Sequence, residues 1–387
     1  MKILYLADIR FPMERANGIQ TIETCHALAR RGIDVRLVVR RSDDRSDEEC
    51  LRFFGLAPHR NLRLQRVRAP GRLGFLAAVA PRLLRTERTE IVYTRDLLLA
   101  DLASRVSRAA LVYEAHTVAA VFAEERAKLY QDVEPPSARK LKRLDARERR
   151  VRRRAAGVVA ITAALEDALK SRHGECESGI VAPDGCHVPE AIPRKSPGRN
   201  VYYIGQLYPW KGVDVLIRAM RHVDDASLVV LGGLPPEPDL DRARSLATEL
   251  SLEERVEFGG FVPPPELEAE RVKAALFVIP NLDSTTARLF TSPLKLFEAM
   301  ASGRPIVASD LPSIREVLAH EVNALLVPPG DAEALGASIE RVLNDGDLSD
   351  RLAARAFEDV HAYSWDRRAA TLESFLAELI ARRAPGI

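Results

Sequence analysis

The chain has 387 residues, of which 47% are hydrophobic and 29% charged, and a formal net charge of +2. That is length enough for two domains with cores of their own, too apolar for a disordered chain, and too balanced in charge for a general nucleic-acid binder. Four cysteines without framework spacing (Cys25, Cys50, Cys176, Cys186) predict a reducing cytosol, and no run of the sequence approaches the length of a membrane span.

The opening Met-Lys-Ile-Leu-Tyr-Leu-Ala-Asp has too short an apolar run for a signal peptide. Residues 3–7 predict a strand of a parallel sheet covered on both faces. A loop with Asn17-Gly18 follows, then a helix carrying Ile19, Ile22, Leu28 and Ala29 with Gly32 as its stop, then a strand over 35–39. This order is Rossmann-like, although Gly-x-Gly-x-x-Gly is missing. Residues 62–67 and 91–94 predict further strands. Between them, residues 73–85 predict a helix with an apolar face beside Arg82 and Arg85, which either covers the sheet or lies on an anionic membrane.

Residues 111–116 form a strand that ends in His116, at the carboxyl end where α/β proteins hold ligands. A satisfied core histidine is the other reading. Residues 139–154 contain ten lysines and arginines, with Leu141, Leu144 and Val151 at helical spacing. Aromatics for base stacking are missing there, so the stretch reads as a solvated helix face or, second, as a contact for an anionic membrane. Strands over 158–162 and from 180 close the first domain. Residues 188–199, with three prolines and no periodicity, predict a linker.

The second half repeats the α/β plan, with strands over 201–205, 228–233, 256–262 and 276–280 separated by helical segments. Lys211-Gly212 precedes one helix. Residues 289–310 read as loop, helix, turn and buried strand: Ser292 suits an N-cap, Pro293 the first helical position, and Gly303 the stop. Lys295 then falls in the first turn, where the helix dipole disfavours a cation, and Glu298 lies on the same face. Such an arrangement suits a nucleoside diphosphate, with N–H groups and lysine for phosphate and glutamate for a ribose diol. A surface Lys–Glu pair is the alternative. The C-terminal segment from Trp365 predicts an amphipathic helix with Leu372, Phe375, Leu376 and Leu379 on one stripe. Asp239/Asp241 and Asp345/Asp347 have a metal-like spacing but sit in polar contexts and read as surface. His173, Cys176, Cys186 and His187 match no standard zinc spacing.

Ser-Pro-Leu-Lys-Leu-Phe-Glu-Ala-Met-Ala-Ser-Gly-Arg-Pro-Ile-Val-Ala-Ser-Asp-Leu-Pro-Ser-Ile-Arg-Glu-Val, from Ser292, resembles the donor-site signature of family 4 retaining glycosyltransferases with the GT-B fold. Tyr202-Tyr-Ile-Gly-Gln-Leu-Tyr-Pro-Trp-Lys-Gly-Val-Asp resembles that family's first donor segment. The resemblance implies two Rossmann-like domains facing each other across a cleft: 1–187 on the acceptor side, 188–199 as linker, 200–363 binding the nucleotide-sugar, and 364–387 as a helix crossing back to the first domain. It implies a donor site from Gly18, Gly205, Gln206, Lys211, Gly232, Phe261, Val262, Thr291, Ser292, Pro293, Leu294, Lys295 and Glu298. Asn17, Arg95 and His116 fall on the acceptor side, and His116, Lys211 and Lys295 carry the catalytic roles.

The implied activity is transfer of a sugar from a nucleotide-sugar to a glycan, lipid-linked or small-molecule acceptor hydroxyl in glycan, glycolipid or cell-envelope synthesis. It would proceed with retention, without a metal or cofactor, in the cytoplasm or peripherally on the membrane's inner face. Fixed cations and a helix N-terminus can neutralise a departing diphosphate, so metal independence is physically coherent. Two departures stand out: Gln206 occupies a position where the family often has arginine, and Phe290 one where it often has a glutamate that contacts the donor sugar. They leave two rivals open, an inert nucleotide-sugar-binding scaffold and a GT-B sugar-nucleotide epimerase or hydrolase.

Overall fold

The computed structural model describes residues 1–129, 133–194, 198–233, 238–290, 292 and 294–383. They form two compact units, Met1–Asp184 with Trp365–Ile387, and Gly185–Ser364.

The first unit is built on β1 (Lys2–Phe11), β2 (Asp34–Arg41), β3 (Leu62–Val67), β4 (Glu90–Thr94), β5 (Ala110–Ala115), β6 (Gly157–Ala160) and β7 (Gly179–Val181), in the order β3-β2-β1-β4-β5-β6-β7. Every pairing is parallel. The central strands are near-continuous apolar runs because helices cover both faces, and the outer β3, Leu-Arg-Leu-Gln-Arg-Val, is only half-buried. The chain leaves β1 in one direction for β2 and β3 and returns beside it as β4, so the strand order reverses between β1 and β4.

Two local expectations are corrected here. Asn17 and Gly18 are not in a loop: the helix already runs over Ala16–Arg30. The Gly18 N–H donates to the Arg15 carbonyl (2.8 Å), and a Cβ on Gly18 would sit 2.5 Å from the Met13 carbonyl oxygen. Glycine is needed for that close approach inside a first helical turn. The basic run is likewise not simply a solvated face. It is the helix Ala138–Arg154, and it turns three cations inward. Arg152 is 1% exposed and pairs with Glu166 at 3.3 Å, while Arg150 and Arg147 reach Asp101 at 2.8 and 3.5 Å. Glu148 is fully buried on the same helix, where it accepts from the Ala119 N–H and meets His173 at 3.0 Å. Arg139, Lys140, Lys142, Arg143, Arg149, Arg153 and Arg154 remain exposed.

The helix Trp365–Arg383 belongs to the first unit and lies against the helix Ala16–Arg30. Its Leu372, Phe375, Leu376 and Leu379 are buried.

The second unit contains β8 (Asn200–Ile204), β9 (Ser227–Leu231), β10 (Val256–Gly260), β11 (Leu276–Ile279), β12 (Ile306–Ser309) and β13 (Leu325–Val327) in the order β10-β9-β8-β11-β12-β13, all parallel. Its order reverses between β8 and β11. The stretch from Gly185 that leads into β8 joins this unit. The reason is Arg304, which is fully buried and donates to the carbonyls of Pro193 (3.0 Å), Arg194 (2.8 Å) and Ala274 (3.0 Å), tying the incoming chain to the sheet.

Leu376→Ala is expected to destabilise the first unit by about 2–5 kcal/mol, the cost of a cavity in a packed core. Urea unfolding followed by hydrogen exchange would locate the loss on residues 1–184 and the last helix, with the second unit unchanged.

Candidate active site

In both sheets the candidate residues gather at the carboxyl ends of the strands, and in the second unit they flank the β8/β11 reversal, the usual ligand crevice of open α/β sheets. Gly205 ends β8, and its N–H donates to the Leu231 carbonyl (2.9 Å). Gly232 ends β9 and donates to Gly260 (2.7 Å), which leads into the half-buried Phe261 and Val262. The turn with Lys211 is wedged against the end of β11. Gly212 has φ +71°, a Cβ there would lie 1.8 Å from the Pro280 carbonyl oxygen, and the Leu282 N–H donates to the Trp210 carbonyl (2.9 Å).

Lys211 is thereby held half-buried, with Nζ 4.1 Å from the centre of the Trp210 ring. Among the described residues no carboxylate pairs with it. Burial pushes its pKa down to about 8. A desolvated ammonium without a counter-ion is costly unless an anion joins it. Gln206, five residues earlier, has a buried Oε1 without a hydrogen-bond partner among the described residues, while its backbone carbonyl accepts from the Tyr203 hydroxyl at 2.6 Å.

The helix Leu294–Ala301 runs back from the carboxyl end of β11 toward the start of β12, so its N-terminus lies at the same sheet edge as Lys211. Thr291 and Pro293 lie outside the described residues; Ser292 is half-buried, and Leu294 is buried as the first helical residue. Lys295 Nζ stands 2.8 Å from Glu298 Oε2. Arg271, which ends the helix Leu267–Arg271, reaches the same oxygen at 2.7 Å. Burial opposes ionisation of Glu298, but the Arg271 and Lys295 charges outweigh it and hold the carboxyl below its usual range. Burial lowers the Lys295 pKa, Glu298 pulls it back up, and Arg271 pushes it down. Phe290 is 7% exposed, so a buried ring fills the position where the resemblance looked for a glutamate.

The acidic pairs with metal-like spacing are occupied structurally. Asp239 pairs with Arg242 at 3.2 Å, and Asp345 caps the helix Gly346–Asp359 by accepting from the Leu348 N–H. His173 meets Glu148 in the first unit, whereas Cys186 belongs to the second. Among the described residues no group of three or more His, Cys, Asp or Glu side chains is arranged to hold a metal ion.

In the first unit His116 follows β5, with Nε2 2.6 Å from Glu114 Oε1. Sequence reasoning missed this carboxylate, although a glutamate inside a fully buried central strand was a visible signal. Glu114 accepts from Gln20 Nε2 (2.6 Å) and the Tyr93 hydroxyl, and Arg368 from the last helix reaches Oε2 at 2.9 Å. The Gln20 amide oxygen accepts from Arg95 Nη1 (2.9 Å), so Gln20 joins Arg95 to the His116 cluster. Asn17 Oδ1 accepts weakly from the Thr21 hydroxyl (3.4 Å) one turn away.

Burial opposes the charge on Glu114, but Arg368, His116 and Tyr93 hold its carboxyl well below the usual range. Burial and then Arg95 lower His116 to about 4, against the pull of Glu114. The imidazole is therefore neutral near pH 7. Because an ionised carboxylate only accepts, Nε2 carries the proton, and Nδ1 is left with a lone pair that can accept a hydrogen bond.

Arg368→Ala is expected to cost about 3–5 kcal/mol in urea unfolding, because it strands a buried charge. Restoring neutrality with Glu114→Gln in the same chain should recover part of that loss. Acidification supplies a second test. His116 has a folded pKa below its unfolded one, about 6.5, so its contribution is complete above that value and is lost as pH falls toward about 4. The depressed Glu114 adds a further loss at lower pH, in the same direction. His116→Asn should flatten the fall of the urea midpoint between those two pH values.

Residues 18–185 match the family model described as Glycosyltransferase Family 4, and residues 198–345 that described as Glycosyl transferases group 1. The chain is 31% identical over 204 residues to a phosphatidyl-myo-inositol mannosyltransferase of Mycobacterium leprae, covering 51% of this chain and 52% of the relative. It is 30% identical over 188 residues to a D-inositol 3-phosphate glycosyltransferase of Corynebacterium glutamicum, covering 47% and 44%. The chain thus spans about half the length, or less, of the curated relatives it matches. Among solved structures, sucrose-phosphate synthase from Thermosynechococcus elongatus superposes with a TM-score of 0.79 at 20% identity, covering 98% of this chain and 99% of that one. Anabaena HepE in complex with UDP-glucose gives 0.74 at 21% identity, covering 99% and 100%. With both halves matched and the fold shared along nearly the whole length, the chain belongs to the family 4 glycosyltransferases of the GT-B type.

Proposed function

We propose that the protein is a metal-independent, retaining glycosyltransferase that moves a sugar from a nucleotide-sugar to an acceptor hydroxyl. The observation that carries the reading is Lys211, a half-buried cation without a carboxylate partner among the described residues, at the β8/β11 strand reversal. Breaking the bond from an anomeric carbon to a diphosphate puts negative charge on the leaving group. Lys211, Lys295 and the N-terminus of the helix Leu294–Ala301 supply fixed positive charge at one sheet edge to meet it. Glu298 is the acceptor for the ribose hydroxyls. Gly205, Gln206, Gly232, Phe261 and Val262 line the same edge toward the donor. His116, neutral and with a free lone pair on Nδ1, accepts from a sugar hydroxyl, and Asn17 and Arg95 serve the acceptor side.

A nucleotide-sugar donor is supported by the HepE structures, which hold UDP and UDP-glucose, and retention by the family alone. The mannosyltransferase and inositol-phosphate relatives support a glycan, lipid-linked or small-molecule acceptor. Among the described residues no helix is long and apolar enough to cross a membrane. The helix Gly71–Leu84 turns Leu73 (81% exposed) and Leu84 (64%) to solvent, and the helix Ala138–Arg154 exposes seven cations. The exposed leucines and cations support peripheral contact with an anionic membrane surface. One rival keeps a specific observation in its favour: the buried Phe290 in place of a sugar-contacting glutamate suits a nucleotide-sugar binder without turnover.

Calorimetry with UDP, GDP, ADP and dTDP, followed by turnover assays with the matching nucleotide-sugars, tests the reading. Lys295→Ala is expected to weaken the diphosphate by about one to two decades, the loss of a charge-assisted contact of about 1.5–3 kcal/mol, and to weaken the bare nucleoside far less. If Lys295 served only its pair with Glu298, the change would be a stability effect of about 0–1 kcal/mol with diphosphate affinity intact. Diphosphate affinity should also fall as pH rises through about 8, where Lys211 in the free protein loses its proton, and Lys211→Ala should remove that slope. Tight diphosphate binding with no transfer to any acceptor would favour the binder.

A further inference from the structure

We propose that Arg271 is a positioning residue for the donor's ribose, acting through Glu298. The inference rests on the donor-site reading above and adds a residue that neither the sequence motifs nor the family matches single out. Arg271 ends a short helix in the crossover from β10 to β11, outside both donor motifs. Its guanidinium reaches Glu298 Oε2 at 2.7 Å, and both side chains are 18% exposed. Lys295 Nζ approaches the same oxygen at 2.8 Å. One carboxylate thus carries two counter-charges.

The duplication has a consequence once a diphosphate arrives. Lysine carries a compact point charge on a four-carbon stem that can swing, so the Lys295 ammonium can turn from Glu298 to a diphosphate. When Lys295 turns to phosphate, Glu298 loses one cation. Left alone in a mostly buried position, the carboxylate would take up a proton or swing away, and it would stop accepting from two ribose hydroxyls. Arg271 prevents this. Its planar fork stays on Oε2, keeps Glu298 ionised and fixes its rotamer. Both cations make their closest approach to Oε2, so Oε1 is the oxygen left to accept from the ribose. Arg271 itself contacts no part of the donor in this arrangement.

The readout is the preference for ribose hydroxyls. Affinities of UDP, GDP and ADP, each against its 2′,3′-dideoxy counterpart, are measured by calorimetry near neutral pH for the unaltered protein and for Arg271→Ala, Arg271→Gln, Arg271→Lys and Glu298→Gln. The unaltered protein should prefer the ribose form of its nucleotide by about tenfold or more, the worth of hydrogen bonds to a charged acceptor. Arg271→Ala should bring that preference to within about twofold, with affinity for the dideoxy form largely kept. Arg271→Gln keeps most of the packing, removes the charge and carries the same expectation if the alanine variant does not fold. Arg271→Lys should retain an intermediate preference. In the neutral variants, whatever ribose preference remains should disappear at a higher pH than in the unaltered protein as the solution is acidified, because Glu298 protonates sooner. A purely structural arginine would weaken the ribose and dideoxy forms alike, which overturns the proposal. Neutral variants that keep the full preference while Glu298→Gln abolishes it overturn the role of Arg271 and leave the donor site standing. If Glu298→Gln also keeps the preference, the carboxylate does not read the ribose, and the donor-site assignment falls together with the proposal.

Discussion

Inside the first unit one carboxylate dictates how the chain has to be closed. Glu114 is fully buried in the middle of a parallel sheet, where an isolated charge would cost far more than the unit's whole stability margin. Its neighbours Gln20, Tyr93 and His116 supply hydrogen bonds, but the nearby counter-charge is Arg368, from a helix that begins only after the entire second unit. Arg368 also donates to the carbonyls of Ala182 and Pro183, at the point where the chain leaves the first unit. The apolar stripe of the last helix gives it area to bury, and the ion pair fixes where along the sheet that helix sits.

The same carboxylate sets the state of His116. Holding Nε2–H toward Glu114 leaves the Nδ1 lone pair as an acceptor, and a pKa of about 4 keeps the imidazole neutral through the physiological range. In the second unit backbone does the corresponding work. The Lys211 turn is braced on the end of β11 because Gly212 has no Cβ to collide with Pro280, so the ammonium is held over the Trp210 ring with no carboxylate partner among the described residues. Both units thus rest on the parallel α/β arrangement, which brings loop residues far apart in sequence to one edge of a sheet.

The alternation of apolar strands and helices was legible because buried parallel strands are continuous apolar runs, and the family because its motif residues are contiguous. What escaped was of a different kind. β13 has three residues, too few for periodicity to register. Asn17-Gly18 carries a turn signature, yet Gly18 serves a close packing contact inside a helix. In residues 139–154 the count of cations concealed that Arg152 and Glu148 face inward, since their partners Glu166 and His173 come from the next helix. Arg271 and Arg368 act on carboxylates 27 and 254 residues away in the chain, and no local pattern announces such a pairing.

The dependence of Glu114 on Arg368 also sets an order of events on the ribosome. Domains are made and generally fold from the N-terminus onward, but here the continuous unit is the second one, Gly185–Ser364, and the first is interrupted by it. As the nascent chain lengthens, the seven-stranded sheet is translated first yet lacks its last helix. The second unit can close upon itself while the first still waits for the counter-charge to the glutamate at its centre. Only when the segment carrying Arg368 clears the exit tunnel does the earlier-made unit become complete, so of the two units the one begun first is finished last.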